Sequence, residues 1–409
     1  MLIRGSGAAF SKRIAAAALL VLGLSYFVKG SYYMFTSAGD FRMRWAEQRY
    51  VFRGKDPSAA WERQNAVING LQVPARVENA TLEPDLGPIE QVPYPPWAYV
   101  TGALFTWPSS FEGARALFGA VNLVAFACLL AWAIHLGTVG FGLSGWVLAL
   151  SVFGTASIYT TFGNGQYGVL VLAALAGTAL LAERGKWLLA GVLFAAALTK
   201  VTLAAPFAVA LLFSKYIKTV ATACIYIACA SSAVALNVHS DPVTMLVGMF
   251  SAAEHVVNQG YSLINPLMLL GMNARLAIII AAVGTIGIGS AVMWLIRREP
   301  LLTQFAIAGA VSRLWTYHAH YDNLIMLLLL MALGTLPKQS QNVRITFAVV
   351  GLSLWAPGSA SDFAAFRVFQ LVAWIACSAI LVVCSRDFRK SSSTPSAPIV
   401  PITATARGA

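Results

Sequence analysis

The sequence consists mainly of long apolar segments that are separated by shorter polar stretches. Continuous apolar runs predict helices that are buried or cross a membrane, because strands that face solvent alternate apolar and polar residues. Several segments are shorter than the roughly 20 residues of a straight membrane helix, so some helices must be broken, tilted or buried in protein. The pattern predicts an all-α polytopic membrane protein with about 12 transmembrane helices, over residues 13–36, 95–108, 115–136, 141–161, 166–182, 187–213, 217–236, 274–296, 301–316, 322–336, 343–356 and 366–385.

Two polar stretches are long, and a third lies at the C-terminus. Residues 37–94 carry mixed charges and predict short juxtamembrane helices, and residues 237–261 form the second long loop. Residues 391–409 are rich in Ser, Thr, Pro and Ala, a composition typical of a disordered tail. We therefore expect a single membrane domain over residues 1–390, followed by a disordered cytoplasmic tail.

The positions of Lys and Arg predict the orientation in the membrane, because basic residues accumulate in cytoplasmic loops. If the N-terminus is cytoplasmic and crossings alternate, every basic cluster and the tail lie inside, with residues 183–186 as a weak exception. The two long loops and the connection 315–321 then lie on the outer face. The clusters are Arg4/Lys12/Arg13, Lys215/Lys218, Arg297/Arg298, Lys338/Arg344 and Arg386/Arg389/Lys390.

The composition agrees with a membrane protein. Only 11% of the residues are charged and 58% are apolar, whereas a soluble domain carries about twice that charge fraction. The net charge of +12 comes mostly from short loops and the tail, not from a basic stripe on a soluble domain. We therefore expect contact with membrane lipids and no nucleic-acid partner.

Asp40 is the most informative candidate residue, because it lies where the first apolar helix runs into the first polar stretch. The carboxylate could cap the following helix, or it could act as a general base at the membrane surface. The charges that follow it, Arg42, Arg44, Glu47 and Arg49, have the spacing of a short amphipathic helix and are expected to face water.

Lys200 lies inside a long apolar run, and Pro206 follows it. A cation at that depth is costly and marks a functional candidate, because it needs an anion. The phosphate of a lipid is the natural anion in this setting. Snorkelling to the interface and a structural ion pair remain the alternatives.

Residues 313–323 form the densest polar cluster between two apolar segments. His318 and His320 could bind phosphate or a sugar, or they could orient a carboxylate such as Asp322. A plain interfacial belt and a metal site are the alternatives. No further clear set of metal ligands appears, so we expect no metal.

Two further motifs interrupt the apolar pattern. Tyr94 precedes two prolines, which fix the backbone where the chain returns to the membrane. Gln166 follows an Asn-Gly pair between two short apolar segments. The predicted topology places Gln166 on the inner side, away from Asp40.

In their order and spacing, these motifs make the chain similar to glycosyltransferase family 87, the polyprenyl-phosphate-mannose-dependent mannosyltransferases with a C-type membrane fold. The resemblance covers roughly residues 35–335. It rests on Asp40-Phe41, Gly54-Lys55-Asp56-Pro57, Tyr94-Pro95-Pro96, Gly165-Gln166, Ala190-Gly191 with Lys200 and Pro206, Asn258 with Ser262-Leu263, and Trp315 with His318. The chain departs from the family in its long insert 61–93, and it has Ser312-Arg313-Leu314-Trp315 where the family often has Ser-Pro-x-Ser-Trp.

The resemblance implies that Asp40 is the general base and that the outer loops form the pocket. His318 or His320 would correspond to the family histidine, with His318 preferred. The candidates for binding the donor phosphate or sugar are Arg42, Lys200, His318, His320 and Tyr94, and further site candidates are Asp322, Asn258 and Gln166.

The expected activity is inverting transfer of a sugar, mannose by resemblance, from a polyprenyl-phosphate donor to a hydroxyl of a lipid or glycan acceptor. No cofactor is expected. The expected location is a bacterial inner membrane, with the site on its periplasmic face. The alternative is a multi-pass transporter or a flippase for the lipid carrier. A transporter would carry its functional charges along a central path at several depths, whereas here they collect on one face.

Overall fold

The computed structural model describes residues 4–80, 83, 85–86, 89, 94–140, 142–247, 249, 262–337 and 340–393. Helices make up most of these residues, and the described part of the chain contains no β-strand. The α-helices are α1 (Arg4–Thr36), α2 (Gly39–Phe52), α3 (Pro57–Ile68), α4 (Pro96–Thr106), α5 (Phe111–Val139), α6 (Gly145–Phe153), α7 (Ala156–Asn164), α8 (Gly168–Glu183), α9 (Trp187–Ala197), α10 (Val201–Ala204), α11 (Pro206–Phe213), α12 (Ile217–Asn237), α13 (Ile264–Leu269), α14 (Ala274–Leu295), α15 (Leu301–Leu314), α16 (Leu327–Thr335), α17 (Gln341–Trp355) and α18 (Ala364–Ser393).

Short 3-10 segments and one further helical stretch complete the secondary structure. The 3-10 segments are Ala75–Val77, Leu198–Lys200, His320–Met326 and Gly358–Asp362. Residues 242–247 are helical within the second long loop. The last helix continues to Ser393, and residues 394–409 of the expected tail lie outside the described residues.

Fewer helices in the described residues are long and apolar enough to cross a membrane than the apolar pattern predicts. By length and composition, six helical segments in the described residues could cross a membrane, or seven if the bent pair α6–α7 counts as one span. The all-helical membrane architecture is confirmed, and the predicted number of twelve is not. Three of the predicted segments correspond to apolar helices of only 10–17 residues, at Gly168–Glu183, Leu301–Leu314 and His320–Thr335.

These shorter helices are apolar because they form the protein core. All residues from Leu327 to Gly334 in α16 are buried, and so are almost all residues of α15. Apolar side chains that pack against protein are as hydrophobic as those that face lipid, so composition alone does not separate the two environments.

The first polar stretch contains two helices, α2 and α3, as its sequence pattern predicts. The turn between α1 and α2 passes through Ala38, whose φ of 44° lies in the left-handed region. Asp56 caps α3 by accepting a hydrogen bond from the Ser58 amide at 2.8 Å. Its second carboxylate oxygen accepts from the Ser240 hydroxyl at 2.7 Å, which ties α3 to the end of α12.

Polar contacts also attach the insert to α2 and α3. Arg53 forms ion pairs of 2.6 Å with both Glu83 and Asp85. The hydroxyl of Tyr50 accepts from the Glu83 amide at 2.9 Å, and Ile89 pairs with the Gln64 side chain through both its amide and its carbonyl. The described residues between 83 and 89 are therefore anchored to α2 and α3.

The long apolar run 187–213 is a broken helix rather than a continuous one. Lys200 has φ −110° and ψ 80°, which is not helical, and Pro206 begins α11 without a backbone donor. The carbonyl of Thr202, four residues earlier, accepts from the Trp315 indole at 2.7 Å. The Leu198 carbonyl accepts from the Trp97 indole at 3.1 Å. Side-chain donors thus satisfy carbonyls that the helix leaves open in an apolar setting.

Candidate functional site

Asp40 is the second residue of α2 and lies in its first turn. The capping position belongs to Ala38, and no side chain caps this helix, so the capping explanation for Asp40 is wrong. Instead, the Asp40 carboxylate accepts a hydrogen bond from Nε2 of Gln166. The positive end of the α2 dipole also favours a negative charge at this position.

Gln166 links Asp40 to the cation of the broken helix. Its Oε1 accepts a hydrogen bond of 3.3 Å from the Lys200 ammonium. Lys200 also forms an ion pair of 2.5 Å with Asp322, and its ammonium lies 4.7 Å from the centroid of the Tyr321 ring. A single network therefore joins α2, the α7–α8 turn, the 198–200 segment and the 320–326 segment.

His318 ends this network. Its Nδ1 lies 3.0 Å from the second carboxylate oxygen of Asp322, which orients the imidazole with Nε2 as the remaining acceptor or donor. The described residues offer Nε2 no hydrogen-bond partner, although the side chain is buried. Burial lowers the pKa of His318, against the opposing effect of its hydrogen bond to Asp322. Nε2 is thus a buried polar atom without a hydrogen-bond partner among the described residues.

Helix α7 positions the loop that carries His318 and Asp322. The Thr161 hydroxyl donates to the carbonyl of Tyr321 at 3.3 Å. The Ser157 hydroxyl donates to the carbonyl of His320 at 3.2 Å. Two hydroxyls one helical turn apart therefore hold the start of the 3-10 segment against α7.

A second buried polar cluster lies further along α2. Arg44 and Glu47 form an ion pair of 2.8 Å and are almost completely buried. The Arg44 guanidinium lies 4.3 Å from the centroid of the Tyr94 ring, and the hydroxyl of Tyr99 donates to Glu47 at 3.4 Å. The expectation that these two charges face water is wrong.

Tyr94 lies between the two clusters. Burial raises the pKa of its phenol, and the Arg44 cation opposes that rise. The negative charges of Glu47, Asp322 and Asp40 add to the increase, so all three carboxylates are within electrostatic range of this ring. The two clusters therefore form one polar region.

The structure brings together five of the residues that the sequence marked: Asp40, Gln166, Lys200, His318 and Asp322. Tyr94 adjoins them. Arg42 is exposed, and its guanidinium lies over the ring of Phe111 at 5.6 Å. His320 is also exposed, and its ring packs against Tyr321. Asn258 lies outside the described residues.

The predicted separation of Gln166 from Asp40 is wrong, because the two side chains are hydrogen-bonded. Helices α6 and α7 have only nine residues each and are bent by 51° at the break between them. The topology prediction counted residues 95–108 and 141–161 as one full crossing each. The first contains α4, which has only 11 residues and is not among the candidate spans, and the second is this bent pair. Counting both as full crossings placed Gln166 on the opposite face from Asp40.

Arg44 and Glu47 were missed as site residues. Their spacing could have indicated that they lie near Asp40. Asp40, Arg44 and Glu47 stand at positions i, i+4 and i+7 and therefore share one helix face. Among the described residues, no group of three or more His, Cys, Asp and Glu side chains could hold a metal ion. The charges of the site are those of Asp40, Asp322 and Lys200, with the Arg44–Glu47 pair beside them.

These features define a polytopic helical membrane protein with a built polar site. Residues 93–333 match the model of glycosyltransferase family 87, and this match covers more than half of the chain. The chain belongs to this family, and its class of activity is glycosyl transfer. Gln166, Lys200, His318 and Asp322 lie inside the matched residues, whereas Asp40 precedes them. No curated protein and no solved structure shows significant similarity to the chain.

Proposed function

We propose that the protein transfers a mannosyl group from a polyprenyl-phosphate donor to a hydroxyl of a lipid or glycan acceptor, on the outer face of a bacterial inner membrane. The observation that carries this proposal is the network Asp40–Gln166–Lys200–Asp322–His318, which holds a carboxylate and a cation in one polar region. The predicted topology places the basic clusters on the cytoplasmic side of the membrane, and this supports an outer location for the site.

Asp40 is the general base in this proposal. Its carboxylate is half-buried, whereas Asp322 is 4% exposed and held by two partners. Asp40 is therefore the carboxylate that an acceptor hydroxyl can reach. It takes the hydroxyl proton while the oxygen attacks the anomeric carbon of the donor.

The transfer is one displacement with inversion at the anomeric carbon. The acceptor oxygen forms the new glycosidic bond, and the bond from the anomeric carbon to the phosphate oxygen breaks. The polyprenyl phosphate leaves with the electron pair of that bond. Lys200, whose side chain is 11% exposed, stabilises the leaving phosphate in this proposal, because a cation placed where negative charge develops stabilises it electrostatically. His318 supports this role by holding Asp322, the partner of Lys200.

The direct test is sugar transfer by the purified full-length protein in nanodiscs. The assay uses radiolabelled polyprenyl-phosphate-mannose and a crude lipid extract as acceptor, with and without EDTA. We expect label in a new lipid or glycan product. We expect Asp40→Asn to lose at least about 100-fold in kcat, because a positioned base contributes 10²–10⁴-fold, while donor binding changes little.

Two results would contradict parts of this proposal. Full activity of Asp40→Asn would remove Asp40 as the base. Absence of transfer from mannose, together with transfer from another carrier-linked sugar in the same assay, would overturn the donor sugar and leave the reaction class intact. Asp387→Asn is the matched control, because it makes the same exchange at an exposed aspartate of α18 that lies outside the network, and it should keep activity.

A further inference from the structure

We infer that Gln166 is a positioning residue that fixes the direction in which the Asp40 carboxylate points, and that its neutral amide keeps Lys200 from pairing with that carboxylate. This inference rests on the proposed role of Asp40. It assigns to Gln166 a function in the rate of transfer rather than in donor binding.

The chemistry of the two neighbours sets the orientation of the amide. Lys200 carries only donors, so the group that faces it must be the carbonyl oxygen of Gln166. The amide nitrogen must then face Asp40, which in its ionised form only accepts. A flipped amide would place a donor against the ammonium and an acceptor against the carboxylate. Gln166 is therefore held in one orientation by a cation on one side and an anion on the other.

Lys200 is itself immobilised, which makes the amide a rigid support. The ammonium is held by Asp322 at 2.5 Å and lies over the Tyr321 ring. Asp322 is held in turn by His318. The 318–322 loop thus fixes the position of Lys200, Lys200 fixes Gln166, and Gln166 fixes Asp40.

The neutral amide also has an electrostatic function. If the ammonium met Asp40 directly, a charge-assisted hydrogen bond would occupy the carboxylate that the acceptor hydroxyl has to reach. With the amide between them, Asp322 neutralises Lys200, and Asp40 receives a hydrogen bond from a neutral donor. The site thereby orients a base without tying it into an ion pair.

The backbone at Gly165 makes this contact possible. Gly165 has φ 72°, and a Cβ at this position would lie 2.6 Å from the Cβ of Phe41 and 3.0 Å from that of Ala38. The close approach of the α7–α8 turn to the start of α2 therefore requires glycine. It brings the next residue, Gln166, against Asp40.

Two substitutions test the amide. Gln166→Glu keeps an acceptor for Lys200 and the volume of the side chain, but it loses the donor to Asp40. Gln166→Leu has a similar volume and loses both groups. Steady-state transfer with polyprenyl-phosphate-mannose, per amount of monodisperse protein, gives kcat and the donor KM for each variant.

We expect both variants to lose about 100-fold in kcat, because a misplaced reacting group can cost that factor, while the donor KM changes less than about threefold. A purely structural role would reduce the amount of folded protein without this split between kcat and KM. A kcat within threefold of the wild type in either variant, or a higher KM at unchanged kcat, overturns the inference. If Gln166→Glu does not yield folded protein, Gln166→Leu decides by the same criteria.

Gln304 provides a matched control. It is 1% exposed, it accepts from the Ser214 hydroxyl at 2.8 Å and it donates to the Glu299 carbonyl at 3.1 Å. Gln304→Glu therefore makes the same exchange at an equally buried amide outside the site and should keep kcat. Asp40→Asn in the same assay separates the two proposals. If that variant is inactive and the Gln166 variants are active, only the positioning role fails; if it is active, the proposed base fails.

Discussion

The residues of the site show that its two aspartates have different environments. Asp322 is buried, and both of its oxygens are engaged, one by Lys200 and the other by His318. Asp40 is half-buried and accepts from a neutral amide. The first arrangement stabilises a fixed charge, and the second leaves a carboxylate that a substrate can approach. The difference between the two lies in their partners rather than in their residue type.

Removal of Asp322 should reveal how strongly it holds Lys200. In Asp322→Asn the buried ammonium would lose its counter-charge, and breaking a buried ion pair in this way costs about 3–5 kcal/mol. We expect a clearly lower thermal unfolding midpoint in detergent. The double variant Lys200→Met/Asp322→Asn should recover much of the loss, because no unpaired charge remains. Equal midpoints for the single and double variants would show that the pair does not stabilise the fold.

At the scale of helices, the break in the run 187–213 explains how a lysine reaches the site from an apolar segment. A continuous helix would direct each carbonyl to the amide four residues later. At Thr202 that amide belongs to Pro206 and is missing, and the Trp315 indole takes its place. The helix break places Lys200 at the site, and the Trp315 indole satisfies a carbonyl that the break leaves open.

This explanation makes a prediction for Trp315. Trp315→Phe would remove the indole donor of the Thr202 carbonyl and leave it only the longer hydrogen bond of 3.3 Å from the Ser312 hydroxyl. We therefore expect a loss of about 1 kcal/mol, the net contribution of one hydrogen bond. In the background Pro206→Ala the restored amide can serve the same carbonyl, so the cost of Trp315→Phe should shrink. Thermal unfolding of the four proteins in this cycle measures the coupling.

Trp146 provides the control for this cycle. Trp146 is 72% exposed, so Trp146→Phe should have little effect on the unfolding midpoint. If Trp315→Phe costs the same with proline or with alanine at position 206, the two residues do not share the carbonyl.

The sequence identified much of the site and less of its arrangement. Asp40, Lys200 and His318 stood out because each is polar where an apolar segment begins, breaks or ends. The contact between Asp40 and Gln166 could not be predicted, because it depends on the bend between α6 and α7. Arg44 and Glu47 were assigned to solvent, since a charge pattern on a helix does not reveal which face the protein covers.

For the whole molecule, the apolar pattern identified the class but not the number of crossings. Helices α15 and α16 are as apolar as lipid-facing helices, yet they are enclosed by other helices. A count of apolar segments therefore does not separate spans from buried core helices, and the predicted twelve spans are not confirmed. The family resemblance was confirmed because it depended on local motifs rather than on that count.

The orientation remains a prediction that labelling can test. In a background without the five native cysteines, Asn69→Cys places a thiol at the exposed end of α3, and Arg297→Cys places one in a basic cluster. A membrane-impermeant maleimide should label position 69 in intact cells. It should label position 297 only after permeabilisation. The reverse result would invert the topology and move the site to the cytoplasmic face.

The position of Asp40 ahead of the family match has a practical consequence for how the protein is cut for expression. The matched residues begin at 93, whereas the carboxylate of Asp40 belongs to α2. A fragment trimmed to the boundaries of the match would contain Gln166, Lys200 and Asp322 without the group that they orient. We expect such a fragment to be inactive even if it folds. Its lack of activity would then not test the activity of the full-length protein. A sequence comparison that is meant to include this carboxylate therefore has to begin at the N-terminal helices, upstream of the matched residues.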